Sequence, residues 1–165
     1  DPHLWTSPKT IYLILDTLAF ILARNYPEKK DTFYLNAKRF KQKIDSINKV
    51  LDSLLTPIKN KPIFLFHPSL LYFIRDFDLL YGGAIEEIPG SEPTASHIAN
   101  LINRVQTSGV RAIFSEPQLN PHTAEVIANH AKVKLYQLDP LGSENIKTYE
   151  DFVFSIARTI YEALK

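Results

Sequence analysis

Ile63-Phe64-Leu65-Phe66-His67-Pro68 is a short apolar run that ends on a histidine and is closed by proline. Val133-Lys134-Leu135-Tyr136-Gln137-Leu138-Asp139-Pro140 repeats the arrangement with an aspartate in the histidine's place. Runs of this length read as buried strands of a parallel α/β sheet. A polar side chain at the carboxyl end of such a strand points into the crevice where open α/β sheets bind ligands. An imidazole and a carboxylate meeting there suit a divalent metal. His3, in Asp1-Pro2-His3-Leu4-Trp5, is a third metal-competent group. It lies on a terminal segment, which is expected to be mobile.

Working outward from these runs, residues 59–165 alternate between strand and helix signals. Strands are expected at 63–66, 83–88, 110–114 and 133–138, and helices at 69–77, 95–107, 121–130 and 149–164. Thr94, Asn120 and Thr148 stand where helix caps belong, and residues 89–93, Pro-Gly-Ser-Glu-Pro, read as a loop. The pattern predicts an α/β fold: a four-stranded parallel sheet with right-handed crossovers and helices on both faces. Upstream, residues 31–56 read as one long helix with Phe33, Ala37, Phe40, Ile44, Ile47, Leu51 and Leu54 on a narrow stripe. That stripe fits either a coiled-coil pair or a single strut laid across domain surfaces. Ser7-Pro8 opens a further helix that runs to about residue 25. Ile11, Leu13, Leu15, Leu18, Phe20 and Leu22 leave it apolar nearly all round, which predicts burial by more chain than residues 1–30 supply.

The chain has 165 residues, 45% hydrophobic and 12% aromatic, enough for one domain with a real core. With 19 basic and 18 acidic residues the net charge is +1, so nothing points to nucleic acid or an anionic membrane. The basic cluster Lys38-Arg39-Phe40-Lys41-Gln42-Lys43 reads as the solvated face of a helix. The absence of cysteine removes disulfides, thiol catalysis and cysteine-type zinc sites. With no methionine either, the chain is expected to start after a cleavage or to be an excised piece. There is no signal-peptide pattern, and the longest apolar stretch, residues 11–23, is broken by Asp16 and Thr17 and too short to span a bilayer.

Each candidate residue has a structural reading beside the functional one. His67 can be a strand-end histidine satisfied by nearby backbone, and Asp139 the turn residue of Asp-Pro-Leu-Gly. Glu116, in Ser115-Glu116-Pro117, ends the third strand at the same edge and can either orient a ligand histidine or serve the turn. Pro2 has no amide hydrogen, so the terminal copper mode open to a third-position histidine is blocked. His97, His122 and His130 fall on helices and read as surface residues. Ser69 and Ser115 lack a nucleophile-elbow context, and Gly82-Gly83 precedes a strand instead of opening a phosphate-binding helix.

Four stretches together resemble the ZnuA/TroA-like metal-binding solute-binding proteins of ABC importers. They are Asp1-Pro2-His3-Leu4-Trp5-Thr6-Ser7-Pro8, Phe66-His67-Pro68-Ser69-Leu70-Leu71-Tyr72-Phe73, Ile113-Phe114-Ser115-Glu116-Pro117-Gln118 and Leu138-Asp139-Pro140-Leu141-Gly142, in the family's order. The resemblance implies two α/β lobes joined by a rigid long helix, with the metal between them. Motif against motif, His3 corresponds to the second ligand, His67 to the third and Asp139 to the fourth. The first ligand, a histidine, belongs to an N-terminal lobe. Pro68 departs from the small or acidic residue that commonly follows the third ligand. Manganese-specific relatives tend to carry a glutamate where His67 stands, so zinc is favoured over manganese or iron.

The resulting expectation divides the chain into a remnant of an N-terminal lobe (residues 1–30), a linking helix (31–58) and a C-terminal α/β lobe (59–165). It describes a periplasmic or extracytoplasmic protein, membrane-anchored in some relatives, that hands a divalent metal to an ABC permease. It is not an enzyme and does not bind nucleic acid. The alternatives are a small α/β hydrolase using His67 and Asp139, and a metal-free α/β interaction domain. The uncovered apolar helix predicts that the fragment self-associates.

Overall fold

The structure is a computed structural model that describes residues 1–86 and 94–165. A 3-10 turn, Leu4–Thr6, leads into α1 (Pro8–Asn25), where Ser7 accepts from the Thr10 N–H and Pro8 sits in the first turn. The long helix α2 (Lys30–Leu55) follows. Then come β1 (Pro62–Leu65), α3 (Leu71–Asp76), β2 (Leu80–Ala84), α4 (Ala95–Thr107), β3 (Ala112–Ser115), α5 (His122–Ala131), β4 (Lys134–Gln137) and α6 (Tyr149–Leu164). Thr94 and Thr148 cap α4 and α6 through side-chain oxygens 3.2 and 3.1 Å from the third amide of each helix. Asn120 accepts from the His122 N–H at 3.0 Å, one turn position earlier than a cap would stand.

The four strands are parallel in the order β2-β1-β3-β4. Side chains alternate across the sheet, as the two-residue period of a strand requires. Ile63, Leu65, Ala112 and Phe114 face Leu51 and Leu55 of α2, Phe73 of α3 and Ile156 and Ile160 of α6. Phe64, Phe66 and Ile113 face Leu101 and Val105 of α4 and Ile127 and Ala128 of α5. Helices therefore cover both faces, as expected. The N-terminal half of α2 instead packs on α1 through Leu15, Ala19, Ala37 and Ile44. Only one side of α1 is covered: Leu13 is 72% and Phe20 57% exposed. No described helix is long and apolar enough to cross a membrane.

The second strand departs from the sequence expectation. It runs over Leu80–Ala84, not from Gly83 onward, and Gly82 and Gly83 lie inside it. The pairing with β1 shifts register between Ile63 and Phe64, opposite these glycines. Gly83 takes φ 130°, and a Cβ there would lie 2.6 Å from the Arg104 guanidinium and 3.0 Å from the Phe64 ring. Glycine thus marks a bulge under a close neighbour, where sequence reading takes it for the start of the strand. The end of the expected strand and the expected loop at 89–93 lie outside the described residues.

Candidate metal centre

In this sheet order the chain leaves β1 toward β2 on one side and β3 toward β4 on the other. The carboxyl ends of β1 and β3 therefore form a topological switch point, where a crevice opens. His67 lies just beyond β1 and Glu116 just beyond β3. The Phe66 N–H donates to the Phe114 carbonyl at 2.7 Å, which extends the β1–β3 pairing to the base of the site. Ser69 is buried, and its hydroxyl donates to Glu116 Oε1 at 2.7 Å. The same carboxylate oxygen is 3.6 Å from His67 Nδ1. The Ser69 hydroxyl thus donates to Glu116 and not to His67, the base that a Ser-His-Asp arrangement would pair with it.

His3 arrives from the opposite end of the chain. Its ring centroid is 5.0 Å from that of His67, at 74°. The strap of residues 1–7, on which His3 lies, makes hydrogen bonds at several points. Thr6, fully buried, donates through its hydroxyl to the carbonyls of His3 (2.8 Å) and Ser69 (3.3 Å). The Trp5 indole N–H donates to the Pro140 carbonyl at 2.8 Å, and the Tyr149 hydroxyl donates to the Trp5 carbonyl at 3.0 Å. The Tyr72 hydroxyl donates to the Asp1 carbonyl at 3.1 Å. Burial raises the Tyr149 pKa far above the ordinary phenol value, so that hydroxyl stays a donor. Burial also lowers the pKa of His3, against the Glu116 charge, which raises it.

His3, His67, Glu86, Glu116 and Gln118 share the lining of a cavity of about 170 Å³. Asp139 stands beyond β4 and does not line it. Its Oδ1 accepts from Gln118 Nε2 at 2.7 Å and from the Leu141 N–H at 3.0 Å. The second bond is the Asx turn that Asp-Pro-Leu-Gly foretells. The first places the carboxylate one side chain away from the cavity. Among the described residues no three His, Asp or Glu side chains are arranged to hold a metal ion. His97, His122 and His130 are exposed, as expected. Sequence reading weighs Ser69 only as a nucleophile, and gives Gln118 and Asp1 no role of their own. Ser69 and Gln118 both lie within motif stretches, but their roles depend on strand neighbours that no local pattern announces.

The donors at this crevice are two imidazoles, with the carboxylates of Glu86 and Glu116 in the lining and that of Asp139 beside it. Borderline nitrogen with hard oxygen is the set that zinc and its first-row neighbours accept. Known proteins match the chain along its whole length. It is 29% identical over 165 residues to the high-affinity zinc uptake system protein ZnuA of Brucella abortus, covering all of this chain and 49% of that protein. It is 29% identical over 168 residues to the zinc-binding protein AdcA of Streptococcus pyogenes, covering 32% of it. A crystal structure of ZnuA superposes with a TM-score of 0.86 at 28% identity, over all of this chain and 62% of the other. The chain thus spans about half the length, or less, of the curated relatives it matches. The family model for the periplasmic zinc-uptake complex component A matches residues 1–163, and the chain belongs to that family, ZnuA.

Proposed function

We propose that this chain is the metal-capturing part of an extracytoplasmic solute-binding protein that delivers zinc to an ABC permease. One observation carries the reading. His3 and His67, far apart in the chain, converge to 5.0 Å in a cavity at the sheet's switch point. His3 and His67 supply nitrogen donors and Asp139 an oxygen donor. Both hydrogen bonds of the Asp139 carboxylate fall on Oδ1, and a modest turn of the side chain would offer Oδ2 to a cation beside Gln118. Glu116, held by Ser69, stands behind His67 Nδ1 and orients the ring.

Two imidazoles favour zinc over manganese or iron, since harder cations prefer sites richer in oxygen. Residues 1–30 then belong to an N-terminal lobe that supplies a further histidine, residues 31–58 to a linking helix and residues 59–165 to the C-terminal lobe. The names of the relatives, which speak of zinc uptake and zinc binding, support the cargo.

Zinc titration calorimetry of the chain and of His67→Ala and Asp139→Ala tests the reading. Each substitution should weaken zinc at least about tenfold, equivalent to ~1.4 kcal/mol. Melting without metal should be nearly unchanged, because neither residue lies in the core. Unaltered zinc affinity in His67→Ala overturns the proposal. Loss of folding in either variant returns that residue to a structural role.

A further inference from the structure

We infer that Asp1 is a positioning residue for His3, holding its ring through Nδ1. The inference deepens the proposed zinc site and rests on that reading for its consequence, though not for its geometry. Asp1 Oδ1 lies 2.6 Å from His3 Nδ1 and also accepts from the His3 main-chain N–H at 2.9 Å. Both side chains are largely enclosed, 14% exposed for Asp1 and 16% for His3. The backbone of Asp1 is itself fixed, since its carbonyl accepts from the Tyr72 hydroxyl at 3.1 Å. The residue that carries the acceptor is thus itself tied to α3.

An ionised carboxylate only accepts hydrogen bonds. A neutral His3 must therefore carry its proton on Nδ1, and the lone pair is left on Nε2. The ring lines the cavity and meets His67 edge-on at 5.0 Å. At His67 the carboxylate stands farther off, with Glu116 Oε1 3.6 Å from Nδ1, outside hydrogen-bond range, and itself held by Ser69. A carboxylate behind a ligand imidazole fixes its tautomer and angle and raises its basicity toward a cation. Asp1 does this for His3 through the same oxygen that orders the strap's main chain, so ring and backbone are set together.

The test uses Asp1→Ala and Asp1→Asn in this chain, with two readouts. Long-range nitrogen–proton NMR at about pH 8, above the usual histidine pKa of about 6.5, reports the tautomer without metal. His3 should be protonated on Nδ1 in the parent and in Asp1→Asn, whose carbonyl oxygen still accepts. It should move toward the Nε2-protonated form in Asp1→Ala. Zinc titration should show Asp1→Ala about 10–100-fold weaker, the usual range for a lost outer partner, with Asp1→Asn much nearer the parent. An unchanged tautomer in Asp1→Ala overturns the inference, as does an unchanged zinc affinity. If zinc fails to bind even the parent chain, the proposed cargo falls, while the tautomer measurement still decides what Asp1 does.

Discussion

Asp76→Ala should be among the most costly single changes at the surface of this protein. Asp76 ends α3, and its carboxylate meets the start of α1. Its Oδ2 accepts from the Ser7 and Thr10 hydroxyls, each at 2.6 Å, and its Oδ1 accepts from Arg75 Nε at 2.8 Å. Ser7 and Thr10 are buried, and the Asp76 side chain is only 11% exposed. A hydrogen bond to a charged group contributes about 1.5–3 kcal/mol. The two hydroxyl bonds at the low end of that range, since water can enter the space left by the carboxyl group, give about 3 kcal/mol. The Arg75 pair adds about nothing, because the arginine is well exposed. At ~2–4 °C per kcal/mol for a chain of this size, the melting temperature should fall by about 6–12 °C. Asp76→Asn keeps an acceptor without the charge and should lose about half as much.

The effect carries a sign in pH. Burial alone would raise the Asp76 pKa, but the bonds from Ser7, Thr10 and Arg75 outweigh it and hold the carboxyl below its ordinary value. A lowered folded pKa gives stability that is fully present above the unfolded value of about 3.9 and is lost as pH falls through the folded one. The gap between parent and Asp76→Ala should therefore be flat from about pH 5 to 8 and close in acid. Urea unfolding across that range is the assay. A loss below about 1 kcal/mol, or a gap that widens as pH falls, would refute the account of this carboxylate.

Gly83→Ala should cost about 1–3 kcal/mol in the same assay, since φ 130° strains any Cβ-bearing residue there and the added carbon meets Arg104 and Phe64; a neutral result would mean the bulge relaxes freely. Trp5 is the only tryptophan, and its ring centroid lies 5.3 Å from that of His3, so zinc should change its fluorescence on the proposed reading. Emission that stays constant through saturation measured independently would remove the strap from the site. The face of α1 carrying Leu13, Leu18, Phe20 and Ile21 is open to solvent, and beside it Leu15, Leu22, Phe33 and Phe40 help to line an apolar groove of about 310 Å³ between α1 and α2. Light scattering at ~100 μM should therefore show a dimer, and Phe20→Glu a monomer; a parent that is already monomeric would show that this face is tolerated in water.

The helices were legible because their ends are written locally. Ser7-Pro8, Thr94 and Thr148 act within one turn of themselves, and α4 and α6 begin and end where periodicity puts them. Three strands were legible as apolar runs. The second was started at Gly83 and observed at Leu80–Ala84, because the bulge that admits glycine inside the strand arises only when Arg104 and Phe64 are packed over it. At the site, His67 and Glu116 were legible as strand ends, and Asp139 was legible both as a candidate ligand and as a turn. The strap was not, because its bonds to Ser69, Pro140 and Tyr149 join positions far apart in sequence, and a terminal segment without them would be mobile.

Those long-range bonds bear on how a cation would be held. Thr6 ties the strap to the carbonyl of Ser69, in the loop that carries His67, and Trp5 ties it to the carbonyl of Pro140, next to Asp139. The acceptors are main-chain atoms, so they report where each loop runs and not which rotamer its side chain adopts. These bonds set the strap against the two loops and so bring the two imidazoles to one place, with ring centroids 5.0 Å apart. Asp139 differs, because its carboxylate is engaged with Gln118 and Leu141 and must exchange or share that contact to reach the cavity. On the proposed reading, the histidines form the rigid element that sets cation preference and Asp139 the adjustable one that closes on it. Replacing Gln118 by alanine should then release the carboxylate and tighten zinc, whereas a rigid three-ligand site would be indifferent to that change. Zinc affinity that falls or stays level in Gln118→Ala would place the adjustable element elsewhere.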